Sequence, residues 1–262
     1  MSVRSGLGAV RRRVLCSMYQ RNVPLGVRGP IVSFSFDDFP RTAYSEGGAI
    51  LEQFGGRGTY YTAIGLMNTS NELGEHFTAD DLDSLVVKGH ELASHTFSHV
   101  SCRSVSTATF RAELEKGRKA VSKVTGLYRA NFAYPFGHVT LQAKKTLGTV
   151  LPSARSVIPG FNGPEIDLNL LRANSLYGDL EGAGRVEKLI LENIKRKNWL
   201  IFYTHDVRPK PSAYGCTPAL LQTAVSCAVL GGCRILTVRD VLAEIRVQNG
   251  NRKGHVRPYV HL

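Results

Sequence analysis

This chain of 262 residues is short of the features that mark several protein classes. Its five cysteines, Cys16, Cys102, Cys216, Cys227 and Cys233, are scattered, with no Cys-x-x-Cys pair. That spacing argues against a zinc knuckle or a disulfide framework and fits reduced thiols. No stretch approaches the roughly 18 consecutive apolar residues of a membrane-spanning helix. Arg11, Arg12 and Arg13 interrupt the apolar run that a secretory signal would need near the N-terminus, so a cytoplasmic location is expected. Acidic side chains are scarce too: 21 Asp and Glu stand against 33 Lys and Arg, for a net charge of +12. Such a balance suits an anionic partner. The excess crowds the two ends, and no basic helix with interleaved aromatics is present, so nucleic-acid binding is not expected. Linker-like tracts, repeats and low-complexity segments are also missing, which leaves one domain.

What is present begins with a basic N-terminal segment, 1–29. Val3, Leu7, Val10, Val14 and Met18 recur at helical spacing with arginines between them. A helix reaching to about residue 25 is expected there. It either packs its apolar stripe on the domain or lies on an anionic membrane face. Beyond it, apolar runs of strand type at 31–36, 58–64, 91–94, 131–134, 153–157, 199–203 and 234–237 alternate with helical patterns at 49–54, 79–88, 110–124, 141–147, 186–197, 219–229 and 238–246. The alternation predicts an α/β fold, a parallel sheet or barrel over 30–246 with its site at the carboxyl ends of the strands. A basic tail, 247–262, is expected to follow.

Three strand ends carry chemistry. Asp37 and Asp38 close the first apolar run. His95 and His99 follow the 91–94 run at i and i+4, a spacing that places both on one side of a helical turn. One carboxylate and two imidazoles make a three-ligand set with open positions, as a hydrolytic metal needs. No Glu follows His95, which excludes the HExxH metalloprotease helix and leaves Asp37 as the available base. His205 ends a third apolar strand, where it is either a proton donor to a leaving group or an imidazole bonded to backbone.

These segments, in this order, resemble the polysaccharide deacetylase family, also called the NodB homology domain or carbohydrate esterase family 4. The likeness covers roughly residues 30–245 and rests on Asp37-Asp38, His95-Thr-Phe-Ser-His99 and Tyr203-Thr-His205. It implies an incomplete or distorted (β/α) barrel. It also implies Asp37 as base, Asp38, His95 and His99 as ligands of a divalent metal, most plausibly Zn²⁺ with Co²⁺ as an alternative, and His205 as acid. The activity implied is removal of an N-acetyl group from an amino sugar of a glycan or glycolipid. The backbone N–H of Phe136 would polarise the substrate oxygen, with Tyr134 beside it. Two departures stand out. Phe39 occupies the position of the family's glycine in Asp-Asp-Gly-Pro, and Ala133 occupies that of the arginine that steadies the base. Arg172 or Arg129 is the expected substitute cation, and Asp167 or Asp179 the expected partner of His205. The family's Asp and Trp pair has no clear match, since the single Trp is Trp199. Loss of turnover, leaving a glycan-binding protein, is the competing expectation, together with a deacylase of a non-sugar amide.

Overall fold

The computed structural model describes residues 14–127 and 129–253. Its strands are β1 (Asn22–Pro24), β2 (Ile31–Asp37), β3 (Thr59–Thr62), β4 (Ser70–Asn71), β5 (Gly74–Glu75), β6 (Glu91–Ser94), β7 (Phe132–Ala133), β8 (Ala154–Arg155), β9 (Glu165–Asp167), β10 (Asn174–Ser175), β11 (Trp199–Thr204) and β12 (Arg234–Ile235). Seven of them form a parallel sheet in the order β10-β11-β2-β3-β6-β7-β8, with β12 added to the first half of β2. The sheet curls into a half-barrel. Among the described residues, no continuous ladder joins its edges, β8 and β10; Arg155 of β8 bridges instead to Leu171, three residues before β10.

The central strand shows why the sequence folds this way. All seven residues of β2 are buried. Val32, Phe34 and Phe36 join the apolar layer that includes Leu220 and Leu221 of the helix Pro218–Leu230. The alternate residues face the barrel interior, following the period of two of a strand. There Ser33 Oγ accepts from Trp199 Nε1 at 2.9 Å, and Ser35 Oγ donates to the Phe202 carbonyl at 2.8 Å. Asp37 ends this inward row. Each buried phenylalanine on the other face contributes about 1.5–3 kcal/mol of hydrophobic stabilisation.

Helix ends follow the expected chemistry. Thr78 caps Ala79–Val87 in a reciprocal box with Asp81, and Ser106 caps Thr107–Thr125, which ends at Gly126 in the left-handed region. Two expectations at the ends of the chain need correction. Residues 22–24 are not helical: β1 pairs antiparallel with β9 and so belongs to the domain. Residues 1–13 lie outside the described residues. At the other end no tail begins at 247, because the helix Val238–Lys253 runs through that point. Among the described residues, no helix is long and apolar enough to cross a membrane.

Candidate active site

Strand alternation alone would send Asp37 and Asp38 to opposite faces. The backbone prevents this. Asp38 and Phe39 both adopt left-handed conformations, with φ of 62° and 59°, so the chain turns back and both carboxylates reach the barrel mouth. Such a φ costs a side-chain-bearing residue roughly 1–2 kcal/mol. Of the eight non-glycine residues with positive φ among the described residues, Asp38, Phe39, Thr96, His99 and Phe136 cluster here, so the strain marks the site. Phe39 keeps the turn that glycine would adopt freely because its ring is fully buried, 5.0 Å from Phe77 and 4.9 Å from Tyr60. Phe39→Gly should therefore destabilise the protein by about 2–4 kcal/mol, ring loss outweighing the relief of strain. A denaturant midpoint equal to that of the unaltered protein would show that the strain dominates instead.

The cation missing at position 133 comes from the next strand. Ala133 and Arg155 are register partners in the β7–β8 ladder. Arg155 is fully buried, and its Nη2 donates to Asp37 Oδ1 at 2.5 Å and Oδ2 at 2.6 Å. Its guanidinium lies between the rings of Tyr61 and Tyr203, 4.9 and 5.0 Å from their centroids. Burial opposes ionisation of Asp37, but Arg155, together with His95 and His205, outweighs it and holds the carboxyl below its ordinary pKa. A charged carboxylate poised to take a proton is the result.

Asp38 has the opposite electrostatics. Burial and the neighbouring Asp37 charge push its pKa up to about 7. Its Oδ1 is buried without a hydrogen-bond partner and lies 3.1 Å from His99 Nε2 and 3.6 Å from His95 Nε2. His95 Nδ1 donates to the Ala133 carbonyl at 2.8 Å, which turns the lone pair of Nε2 toward Asp38. Burial holds His95 near 3, helped by His99, and holds His99 near 4. Both rings are therefore held neutral at pH 7, the form in which an imidazole can bind a metal. An orphaned carboxylate oxygen facing two imidazole nitrogens, with one ligand atom from each residue within 4.8 Å of the others, fits a divalent cation.

The His pair does not sit on a helical turn. Residues 95–99 form a loop, and left-handed backbone at Thr96 and His99 brings the ring centroids to 4.9 Å. The helix Thr107–Thr125 braces this loop. Glu113 accepts from Ser98 N at 2.8 Å, and Gly117 passes so close to Thr96 that a Cβ would lie 2.6 Å from its carbonyl.

His205 follows β11. Its Nδ1 donates to the Tyr214 carbonyl at 3.1 Å, so Nε2 is the nitrogen left for chemistry. Burial holds the imidazole below its ordinary pKa, against the pull of the Asp37 charge. Neither expected carboxylate orients it: Asp167 pairs with Lys144, and Asp179 caps the turn Leu180–Gly182. Asp206 acts indirectly by accepting from Ser212 N and Oγ, which shapes the loop that carries Tyr214.

Asp37, Asp38, His95, His99, Phe136 and His205 all line one cavity of about 670 Å³. Two expected residues are elsewhere. Tyr134 is buried and donates to the Asn169 carbonyl at 3.0 Å, because strand alternation turns it into the core. Arg172 donates to the Pro159 carbonyl and lines a separate cavity of about 230 Å³. Arg129 is exposed and does not line the larger cavity. Sequence reasoning missed Arg155 and Tyr214. The available signal for Arg155 was a basic residue inside the 153–157 strand pattern; a backbone acceptor such as Tyr214 leaves none.

The geometry can be set against known proteins. Residues 26–149 match the family model described as polysaccharide deacetylase. This segment is a polysaccharide deacetylase domain. Deacetylation is a hydrolysis, so the matched segment belongs to a family of hydrolases. No curated protein matches the sequence. Among solved structures, the chitin deacetylase of the fungal pathogen Colletotrichum lindemuthianum is 19% identical with a TM-score of 0.57, over 84% of this chain and 92% of that one. The Xyl-CE4 domain of a multidomain xylanase from the hindgut metagenome of Trinervitermes trinervoides is 20% identical with a TM-score of 0.54, over 89% and 95%. The peptidoglycan deacetylase PdaC from Bacillus subtilis is 14% identical with a TM-score of 0.52, over 86% and 96%. These likenesses show the shared fold of the deacetylase and its curled parallel sheet.

Proposed function

We propose that this deacetylase removes the N-acetyl group of an amino sugar in an oligosaccharide, polysaccharide or lipid-linked glycan, with Asp38, His95 and His99 holding a divalent ion, Zn²⁺ by preference for nitrogen and oxygen donors. The observation that carries the reading is the Asp37–Arg155 pair beside the orphaned Asp38 oxygen and two imidazoles in one cavity. When bound there, such an ion lowers the pKa of a water and polarises the acyl oxygen. Asp37, kept ionised by Arg155, takes a proton from the attacking water as its oxygen bonds to the acyl carbon. The C–N bond then breaks as the proton taken by Asp37 is passed through His205 Nε2 to the departing nitrogen, and acetate and a free amine leave. The Phe136 main-chain N–H is the proposed donor to the oxyanion.

Loss of turnover was the competing expectation because Ala133 lacks a guanidinium. Arg155 on both Asp37 oxygens supports catalysis instead. The test is acetate release from N-acetylglucosamine oligomers before and after chelation, with Zn²⁺ or Co²⁺ restored. Metal-dependent acetate is expected, and Asp37→Asn should lower it about 10²–10⁴-fold while the metal stays bound. Full activity of that variant would remove Asp37 from the role of base.

A further inference from the structure

The half-barrel has a second end, away from the cavity. Six helices hand the chain to the next parallel strand there: Ala49–Gln53 to β3, Ala79–Val87 to β6, Thr107–Thr125 to β7, Leu141–Val150 to β8, Ala183–Arg196 to β11 and Pro218–Leu230 to β12. Because these strands run parallel, the helix ends and the strand starts share one face, the floor of the barrel. The connections that cross it, with 25–30 ahead of β2, contain Arg28, Arg57, Lys88, Arg129 and Lys197 and no aspartate or glutamate. The connections that leave the strands at the mouth differ. They carry Asp38, Glu72, Glu75, Asp179, Glu181 and Asp206 against Arg41, Arg103, Arg208 and Lys210. Charge is thus polarised along the barrel axis.

Cations at helix C-termini are favoured by the helix dipole, so the charges alone need no partner. The aliphatic side chains among them do. Val87 and Leu230, each the last residue of its helix, are both 85% exposed. Leu127 and Val150, at the ends of two further helices, are 46% and 42% exposed. The acids closest to this face along the chain are already engaged: Glu52 by Lys88 and His90, Glu192 by Arg196, and Glu244 by Arg234. Arg57, Arg129 and Lys197 have no ion pair among the described residues. Apolar tips set singly on separate helix ends do not make a groove for a peptide. They match an interface that takes shallow apolar anchors between anionic headgroups.

We propose that the floor of the barrel is a docking face for an anionic lipid bilayer, with Val87, Leu127, Val150 and Leu230 entering the headgroup layer and Arg57, Arg129 and Lys197 meeting lipid phosphates. The net charge of +12 draws the chain to such a surface, and the contrast between the two ends orients it. Docked this way, the chain holds its cavity away from the bilayer. β2 has seven residues, so its Asp37 end stands about 20 Å along the strand from its first residue. This face is separate from the active site and owes nothing to the deacetylase reading.

The experiment measures co-sedimentation of the full chain with vesicles of phosphatidylcholine, alone or with about one third phosphatidylglycerol. Binding to the anionic vesicles only is expected. Arg57→Gln combined with Arg129→Gln should weaken it about 25-fold, at about fivefold for each cation. Val87→Gln combined with Leu230→Gln should weaken it about tenfold with the charge unchanged. Leu180→Gln removes an open aliphatic side chain at the mouth and should leave binding as it was. Orientation is read from fluorescence, because the single tryptophan, Trp199, is fully buried. On anionic vesicles the emission of Val87→Trp should shift to the blue and be quenched by brominated lipid, and that of Leu180→Trp should do neither. No binding to either vesicle, binding that both floor pairs leave unchanged, or a blue shift from Leu180→Trp alone would overturn the proposal. Loss with the arginine pair but none with the aliphatic pair would overturn the bilayer in favour of a soluble polyanion, checked with a duplex oligonucleotide.

Discussion

Replacing Arg155 by methionine should lower turnover about 10²–10⁴-fold, the range in which a correctly charged general base contributes. Methionine preserves much of the side-chain volume but leaves Asp37 buried and unpaired, at a cost of about 3–5 kcal/mol in stability. Burial would then act on Asp37 with only His95 and His205 opposing it, and its pKa would climb. The sign follows. In the unaltered protein a depressed Asp37 pKa contributes stability above the ordinary value near 3.8, lost as pH falls through the folded value. In the variant that contribution reverses, and the acid limb of the pH–rate profile moves to higher pH. Because Ala133 is the register partner of Arg155, adding Ala133→Arg offers a guanidinium from the neighbouring strand and should restore part of the rate. A single Arg155→Met variant with unchanged turnover and an unmoved acid limb would refute the role.

Metal binding should release a proton near neutrality, and Asp38 is the source. With its carboxyl near 7 and the two imidazoles near 3 and 4, the ion-free site at pH 6 holds about one proton, on Asp38. Apparent affinity for Zn²⁺ should therefore fall about tenfold per pH unit from 7 down to about 4, where His99 begins to take a second proton. Calorimetry in buffers of different ionisation enthalpy reads the proton directly. Asp38→Asn should abolish the release and weaken binding by more than about a hundredfold. Binding that releases no proton at pH 6 would mean an ordinary, ionised Asp38 and a site unlike the one described.

The same pKa values set opposing trends in the stability of the ion-free protein. Asp38 keeps a proton in the folded state that the unfolded chain has lost, so its contribution declines as pH rises from 3.8 to about 7. His95 and His99 stay neutral in the fold while the unfolded chain protonates them. Their contribution declines as pH falls below 6.5, toward about 4 for His99 and about 3 for His95. With two imidazoles against one carboxylate, acid wins as the destabilising direction over most of that window.

Local pattern carried much of the site. The apolar run ending at Asp37, the strand before His95 and the strand before His205 are each legible from a handful of neighbouring residues, because burial imposes the periodicity. Their shared arrival at one end of a sheet follows from parallel pairing with right-handed crossovers. The substitute arginine was not legible in this way. Arg155 falls inside a strand pattern and Arg172 does not, yet only the pairing of β7 with β8 puts Arg155 beside Asp37 while Arg172 lines a different cavity. Tyr134 misled for a related reason, since a conspicuous aromatic beside Pro135 is turned into the core by the alternation of the strand before it.

The sequence by itself determined the strand–helix alternation, the strand ends that carry Asp37, Asp38, His95, His99 and His205, and the chemistry those side chains can support. Tertiary structure decided which charge steadies Asp37, which carbonyl sets the His205 tautomer, and that a strained loop rather than a helical turn unites the histidines. The division has one physical cause. Periodicity and capping are properties of neighbours in the chain, whereas register, backbone acceptors and the desolvation that shifts Asp38 exist only once distant segments have packed.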